Sequence, residues 1–341
     1  MPNPQRPTFI AHITDGLVPL RDGGNADMGG QGSPIGKAQG LTKIGIHFEI
    51  QPPGSRSSFP HAESEEDEFV LVLQGRPDVW IDGVLYPLEP GDSVAFPAGT
   101  GIAHSFLNNA DEDMHLLVVG EANKDTNRIN YPLNPERNRL FARRQRYWED
   151  APQHELGPHD GKAVVGSRAP GPVDRSRRPS FIKHFREVLR PVTNSEYTNF
   201  GGQVAGLGAD GGLTRLGINY VVLTAGNRSS NPHAESREDE FILVLKGNPD
   251  AWVDGVVHEL VEGDGVAFPA GTGIAHTLLN NSAAEAHLLV IGEHGVPGSQ
   301  VNYPLQPERN ADYKTRGEYW EDAPKRDLGP HDGKARAGTR K

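Results

Sequence analysis

Short segments with the period of β-strands, separated by turn residues, run along most of the chain. Residues 41–50 alternate apolar and polar side chains, as a half-buried strand does. Residues 69–73 are apolar and rich in β-branched types, which is typical of a buried strand. Asp82-Gly83 lies between two further strand-like segments, where a tight hairpin turn is expected. Many short strands at this spacing predict an all-β sandwich or barrel.

The whole pattern occurs twice, at an offset of 172 residues that takes His61 to His233 and holds without a gap from Pro7 onward. The segment 94–104 returns letter for letter as 266–276. A period this long indicates a duplicated domain rather than a solenoid repeat. The Pro/Gly-rich stretch between the two copies reads as an exposed linker.

These boundaries divide the chain into two units with arms outside each barrel. We expect the arms, such as 1–40 and 121–165 of the first unit, to pack on the other unit. The predicted ranges are 1–165 for the first domain with its barrel at about 41–120, 166–179 for the linker, and 180–341 for the second domain with its barrel at about 213–292.

Composition and charge exclude several classes of function. The chain has no cysteine, so disulfides, zinc fingers, Fe–S clusters and thiol nucleophiles are excluded. The formal net charge of −11 repels phosphate backbones, so we expect no nucleic-acid partner. No apolar stretch approaches the roughly 20 residues of a membrane span, and the N-terminus lacks the apolar run of a secretory signal. We therefore expect a cytoplasmic protein that does not contact membranes.

Two stretches in each unit concentrate residue types that bind metals. His61 and Glu63 alternate on an extended segment and can therefore face one point, and Glu68 leads into the next strand. His104 would approach from a separate strand. Two imidazoles with one or two carboxylates suit a divalent transition metal such as iron, manganese, nickel, zinc or copper. The second unit repeats the set as His233, Glu235, Glu240 and His276.

These stretches resemble the paired motifs of the cupin superfamily. The matching intervals are Glu68 to Gly75, Gly91 to Pro97 and His104 to Asn108, and all three recur in the second unit. The resemblance covers about residues 41–120 and 213–292, and within the superfamily the segment 96–104 looks like a group of mostly uncharacterised small cupins. It implies two tandem double-stranded β-helix (jelly-roll) barrels, and association of copies as a homo-oligomer through their sheets.

The sequence departs from the family pattern at a central position. Glu63 and Glu235 stand where the family usually has its second histidine. Either the carboxylate joins the metal, giving two histidines and two acids, or it turns away and is free to act as a general base. A third interpretation is a metal-free barrel in which the histidines and acids hydrogen-bond one another.

The resemblance implies a metal-dependent enzyme that acts on a small organic molecule, by dioxygen-dependent oxidation, decarboxylation or isomerisation. The alternative is a non-enzymatic binder or scaffold, because fold does not determine function. Oxalate decarboxylation is known among bicupins, which are proteins with two cupin domains. The missing second histidine weakens the case for that activity here.

Other residues receive structural interpretations, and the halves differ near the predicted sites. His115 and His287 lie in apolar strands and are interpreted as core histidines. Glu66 belongs to an acidic loop and would be a ligand only if that segment were bulged.

We hypothesise that the two cavities differ in ligand preference, or that one alone is active, because four positions change: His47 to Asn219, Glu49 to Val221, Phe59 to Asn231 and Met114 to Ala286.

Overall fold

A computed structural model describes residues 6–20, 25, 27–122, 124–192 and 200–340 of the protein. The strands predicted from the alternation are present, with boundaries shifted by a few residues. Segment 41–50 forms a strand at Ile44–Gln51, and segment 69–73 forms one at Glu68–Gln74. At the predicted hairpin turn, Asp82 and Gly83 have φ values of 46° and 87°. Such left-handed values at both central residues belong to the tight turn that matches strand twist.

In the described part of the first unit, strands predominate and two helices occur. In chain order its elements are β1 Ile10–His12, β2 Val18–Pro19, β3 Gln31–Ser33, α1 Ile35–Ala38, β4 Ile44–Gln51, β5 Ala62–Glu63, β6 Glu68–Gln74, β7 Asp78–Ile81, β8 Val84–Pro87, β9 Asp92–Phe96, β10 His104–Leu107, β11 Met114–Glu121, β12 Ile129–Asn130 and α2 Pro135–Arg143.

The second unit repeats this order with small additions near its start. Its elements are β13 Ile182–His184, α3 Phe185–Val188, β14 Arg190–Pro191, β15 Gly202–Ala205, α4 Leu207–Asp210, β16 Leu216–Leu223, β17 Ala234–Glu235, β18 Glu240–Lys246, β19 Asp250–Val253, β20 Val256–Glu259, β21 Asp264–Phe268, β22 His276–Leu279, β23 Ala286–Glu293, β24 Val301–Asn302 and α5 Pro307–Thr315.

Each barrel is built from a larger antiparallel sheet facing a smaller one. In the first barrel the larger sheet has the order β13-β9-β6-β11-β4-β3-β2, and the smaller has the order β10-β7-β8. In the second they are β1-β21-β18-β23-β16-β15-β14 and β20-β19-β22. The predicted all-β, two-barrel fold is therefore confirmed.

The first strand of each unit belongs to the sheet of the other unit. Strand β1 pairs with β21 of the second barrel, with Ile10 opposite Val266, and β13 pairs with β9 of the first, with Ile182 opposite Val94. Ile10 and Ile182 are both buried within the barrel to which they are added. The expectation that the N-terminal arm packs on the other unit is confirmed for this segment.

The arm of residues 121–165 behaves differently and lies mainly on its own barrel. The backbone N–H of Gly157 donates to the carbonyl of Asp82 at 2.7 Å. The indole N–H of Trp80 donates to the carbonyl of His159 at 2.9 Å. A Cβ on Gly83 would lie 2.3 Å from the carbonyl oxygen of Gly157, so the hairpin turn can approach the arm only because Gly83 has no side chain.

The larger sheets bury side chains on both faces. Along β4, Ile44, Ile46 and Phe48 pack with Leu216 and Ile218 of the second unit, in one apolar cluster between the barrels. Because successive strand residues point to opposite faces, His47 and Glu49 point to the inside of the first barrel. Burial of this shared cluster stabilises the two barrels as one body, since it removes apolar surface from water.

A pair of aspartates also joins the barrels. Asp67 Oδ2 accepts hydrogen bonds from the backbone N–H groups of Thr214 and Arg215 at 3.1 and 3.0 Å, while its Oδ1 accepts from Ala98 N–H at 2.9 Å. Asp239 is bonded in the same way to the corresponding loop of the first unit. Asp67 and Asp239 precede Glu68 and Glu240, so each predicted acidic ligand follows a residue anchored to the other barrel.

Among the described residues, no helix is both long enough and apolar enough to cross a membrane.

Candidate metal centres

Three of the predicted ligands in the first barrel meet at one point. One ligand atom from each of His61, Glu68 and His104 lies within 4.8 Å of the other two. His61 and His104 are paired through reciprocal backbone hydrogen bonds of 3.2 and 3.0 Å, which places their imidazoles side by side. Glu68 begins β6 in the facing sheet and directs its carboxylate to the same point. A compact group of two imidazoles and one carboxylate results.

The second barrel assembles the same group from the repeated residues. His233, Glu240 and His276 also bring one ligand atom each within 4.8 Å of the others. The ring centroids of His233 and His276 are 4.9 Å apart, as are those of His61 and His104. The duplication has therefore preserved the site as well as the fold.

Backbone carbonyls fix the orientation of the imidazoles. The Nδ1 atoms of His61 and His233 lie 3.0 and 2.8 Å from the carbonyl oxygens of Phe59 and Asn231. A carbonyl only accepts, so Nδ1 carries the proton and Nε2 directs a lone pair into the site. Burial lowers the pKa of His61 and of His233 to about 4, which keeps both rings neutral near pH 7. This is the arrangement found for histidines that bind metals through Nε2.

The inward-facing nitrogens are satisfied to different degrees in the two barrels. His104 Nε2 lies 3.2 Å from Glu68 Oε1, within hydrogen-bonding distance. In the second barrel the corresponding separation is 3.4 Å, and the buried Nε2 of His276 has no hydrogen-bond partner among the described residues. A buried polar atom without a partner is costly unless something binds it. The donor set therefore fits a divalent cation.

Glu63 and Glu235 lie at the edge of these groups. In each barrel the carboxylate oxygen is 4.0 Å from the Nε2 of the preceding histidine, His61 or His233. Burial, and next the charge of Glu68 or Glu240, raise the pKa of each to about 9. Two buried carboxylates that face one another without a cation repel, and this repulsion disfavours their ionised form. Their roles as ligands or bases remain predictions.

The residues given structural interpretations are not members of the ligand groups. His115 packs edge-on against Phe48, and His287 Nδ1 lies 2.8 Å from the hydroxyl of Tyr220. Glu66 accepts a hydrogen bond from the backbone N–H of Lys124 and does not belong to the ligand group. Sequence reasoning missed Tyr131, which stacks on His61 at 5.9 Å; its recurrence as Tyr303 on His233 was the available signal.

A large cavity opens beside the ligand group of the first barrel. Its volume is about 740 Å³. Glu63 and Glu68 line it together with His47, one of the positions that differ between the halves. The other lining residues are Pro34, Lys37, Gly40, Leu41, Thr42, Ile44, Gly45, Glu66, Asp67, Val118, Gly120, Glu121 and Ala122.

A second cavity, of about 270 Å³, reaches His233 in the second barrel from another side. Asn231 lines it, and its side-chain oxygen accepts a hydrogen bond from Arg228 at 2.5 Å. At the equivalent position of the first barrel, Phe59 lies between the guanidinium groups of Arg56 and Arg137, at 4.4 and 4.8 Å from its ring centre. The Phe59 to Asn231 change thus replaces an aromatic contact by a polar one.

Comparisons with known proteins agree with this architecture. The family model described as "Cupin domain" matches residues 47–120 and 219–292. Two solved structures are similar over nearly the whole chain, both of oxalate decarboxylases. The one from Lactobacillus farciminis, in a formate complex, has a TM-score of 0.56 at 14% identity and covers 93% of this chain and 96% of its own. One from Bacillus subtilis has a TM-score of 0.53 at 13% identity, with coverages of 92% and 83%.

One curated protein also matches in sequence. "Polyketide synthase CurC" of Streptomyces cyaneus is 32% identical over 78 residues, which are 23% of this chain. The match spans about half (49%) of the length of that relative. Together with the twofold family match, the fold places the protein in the cupin class. It is a tandem bicupin, with one cupin domain in each half of the chain.

Proposed function

We propose that the protein is a metal-dependent enzyme that acts on a small organic molecule, with a divalent transition metal in each barrel. The observation that supports this is the convergence of two imidazole Nε2 atoms and a carboxylate on one point in both barrels. With both Nε2 atoms deprotonated, all three groups offer lone pairs that one cation would bind together. The similarity to oxalate decarboxylases, one of which has a solved structure concerned with its Mn(II) centres, is compatible with such a site.

In this proposal His61, Glu68 and His104 hold the ion in the first barrel, and His233, Glu240 and His276 hold it in the second. When bound, the ion supplies Lewis-acid or redox chemistry at its open positions. Glu63 and Glu235 either complete the ligand set or act as general bases. Burial, and next the charge of Glu68 or Glu240, raise the pKa of each carboxylate, and a bound cation would lower it again. A base role is supported by this sensitivity of the pKa to its surroundings.

The reaction belongs to the oxygenase, decarboxylase or isomerase type. The hydrogen bond between His104 and Glu68 supports a second candidate, a metal-free binder or scaffold, because it satisfies one nitrogen without an ion. Elemental analysis of the purified protein separates the two, since the enzyme requires one or two equivalents of a transition metal.

Substitutions at single ligands make this test specific. His104→Asn and His276→Asn should each remove about one equivalent of metal, because each takes one nitrogen from one group. His115→Asn is the matched control, since His115 packs on Phe48 outside the group and should leave the metal content unchanged. Absence of metal from the wild-type protein, even after incubation with Mn²⁺, Fe²⁺ or Zn²⁺, would contradict the proposal.

Glu63→Gln then tests the base role separately from the ligand role. If Glu63 is a base, turnover should be lost while metal content stays at the wild-type level. If it is a ligand, metal content should fall as well.

A further inference from the structure

The cavity beside the first metal group is much larger than a two-carbon dicarboxylate requires. Its volume of about 740 Å³ lies in the range of sites for drug-sized ligands, which is roughly 300–1,000 Å³. Glu63 and Glu68 line it, whereas His61 and His104 do not, so a molecule bound there would approach the ligand group from its acidic side. The size of the cavity therefore favours a substrate with a ring or a longer carbon skeleton.

The charges around this cavity disfavour an anion. The lining includes three glutamates, Glu63, Glu66 and Glu68. Lys37 is the one lysine or arginine among the described lining residues. The remaining acids, Asp67 and Glu121, are both within ion-pair distance of Arg215. If a bound divalent ion keeps Glu63 and Glu68 ionised, the two carboxylates neutralise its charge, and Lys37 offsets Glu66. No net positive charge is left to attract an anionic substrate.

The glutamate at position 63, in place of the usual histidine, determines the net charge around the ion. With the histidine that the family usually has there, a divalent ion and Glu68 would leave one positive charge at the centre. With an ionised Glu63 beside the bound ion, the central charge would be zero. At a separation of 5 Å and an effective dielectric constant of about 20, one unit of charge changes an ionic interaction by more than a hundredfold in affinity. The substitution therefore selects strongly against anions.

His47 gives the first cavity a hydrogen-bonding group that its counterpart lacks. It lies on β4, opposite Val118 of β11, and its side chain is exposed to the cavity. A neutral imidazole presents one N–H donor and one nitrogen acceptor, which suits hydroxyl and carbonyl oxygens. The equivalent residue of the second barrel is Asn219, with a shorter side chain.

We propose that the first barrel binds an uncharged, oxygen-bearing organic molecule of drug size, that His47 contacts it, and that the second barrel has a different ligand preference. This inference rests on the proposed metal-dependent function and names its substrate class.

The test uses Zn²⁺-loaded protein and two fluorescent probes that differ in charge. Methyl salicylate and salicylate share a ring and a chelating pair of oxygens, but only salicylate is an anion. Methyl salicylate should bind the wild-type protein at least tenfold more tightly. Phenyl salicylate, which adds a ring without adding charge, should bind at least as tightly as the methyl ester.

Three variants assign the binding to the first barrel. His47→Asn, which introduces the residue of the second barrel, should weaken methyl salicylate binding at least fivefold without loss of Zn²⁺. Asn219→His is the matched control and should leave the affinity of the first site unchanged. Glu63→Gln should improve salicylate binding at least tenfold relative to its ester, because it restores a positive charge at the centre.

The outcomes separate this inference from the proposed function. If Zn²⁺ binds but salicylate binds as tightly as its ester, or His47→Asn has no effect on either probe, the inference is overturned and the metal proposal stands. If neither barrel binds Zn²⁺ but the ester still binds in a His47-dependent manner, the metal proposal fails and the assignment of the cavity stands.

Discussion

The two barrels have the same ligand group but different walls. The positions that converge in the first barrel, His61, Glu68 and His104, are identical in type in the second. On the neighbouring strand, however, His47 and Glu49 point into the first barrel where the second has Asn219 and Val221. The ligand group is therefore the same in both units, whereas the residues that set the shape and polarity of the cavity beside it differ. A comparison of matched substitutions in the two halves can separate these properties.

The largest expected difference comes from removing the acidic ligand of one barrel. Glu68→Gln should lower the Zn²⁺ affinity of the first barrel by more than roughly a hundredfold, because the loss of outer-shell contacts alone costs about 10–100-fold. Glu240→Gln should do the same to the second barrel only. Isothermal titration of both variants measures this, and a loss at both sites from one substitution would show that the barrels do not bind metal independently.

The next effect tests the strands that cross between the barrels. Ile10→Ala should destabilise the second barrel, although residue 10 belongs to the first unit, because Ile10 is buried in the core of the second. The expected loss is about 2–5 kcal/mol. The matched variant Ile182→Ala should destabilise the first barrel. Hydrogen exchange resolved by residue locates each effect, and loss of protection in the mutated residue's own unit would contradict the pairing.

A smaller and symmetric effect is expected at the aspartates that join the barrels. Asp67→Asn and Asp239→Asn should each cost about 1–3 kcal/mol, because a buried carboxylate that accepts three backbone N–H groups is replaced by a partly mismatched amide. Urea unfolding measures both. Unlike the ligand substitutions, these two should give similar values, since the bonds are repeated in both units.

The last expected effect concerns pH and the metal-free protein. Glu63 and Glu235 have a folded pKa of about 9, above the unfolded value of about 4.5, so the folded state holds more protons in between and loses stability as pH rises. His61 and His233, with pKa lowered to about 4, have the opposite slope up to their unfolded value of about 6.5. The slopes of these two pairs nearly cancel below about pH 6.5, so their net fall should appear between about pH 6.5 and 9. Glu49, whose pKa burial raises to about 7, adds a smaller fall below that pH.

Thermal unfolding in the presence of a chelator measures this slope. The double variant Glu63→Gln/Glu235→Gln should flatten it, and bound Zn²⁺ should also reduce it because the ion favours the ionised acids. An unchanged slope in the double variant would assign the pH dependence to other groups.

The strands and the convergence of the candidate ligands could be predicted because they depend on local patterns. The alternation over residues 41–50 predicts a strand, and Asp82-Gly83 predicts a hairpin turn, without reference to any distant residue. Both patterns occur again in the second unit. The motif spacings indicated which side chains would meet, and His61, Glu68 and His104 do meet. Whether Glu63 belongs to the set could not be read from spacing, because a rotation about its side-chain bonds decides the matter.

The features that the sequence did not reveal depend on contacts between distant segments. Nothing in residues 10–12 indicates that they pair with residues 264–266, since any strand edge of suitable register would serve. Asp67 lies in an acidic run that reads as a solvated loop, yet it is 1% exposed because the loop of the other unit covers it. Such contacts depend on how two complete sheets pack against each other, and the local periodicity of the sequence does not predict that packing.

The crossed terminal strands also bear on how a protein of this kind arises. A solitary unit with the sequence of residues 1–165 would lack the strand that the other unit supplies at Asp92–Phe96, and its own Ile10–His12 would have no sheet to join. Two such units could complete each other's sheets by exchanging their N-terminal strands in a twofold-symmetric, domain-swapped dimer. The tandem chain is then a tethered pseudo-dimer. Once the tether was made, the two copies no longer had to remain alike, and each cavity could change independently.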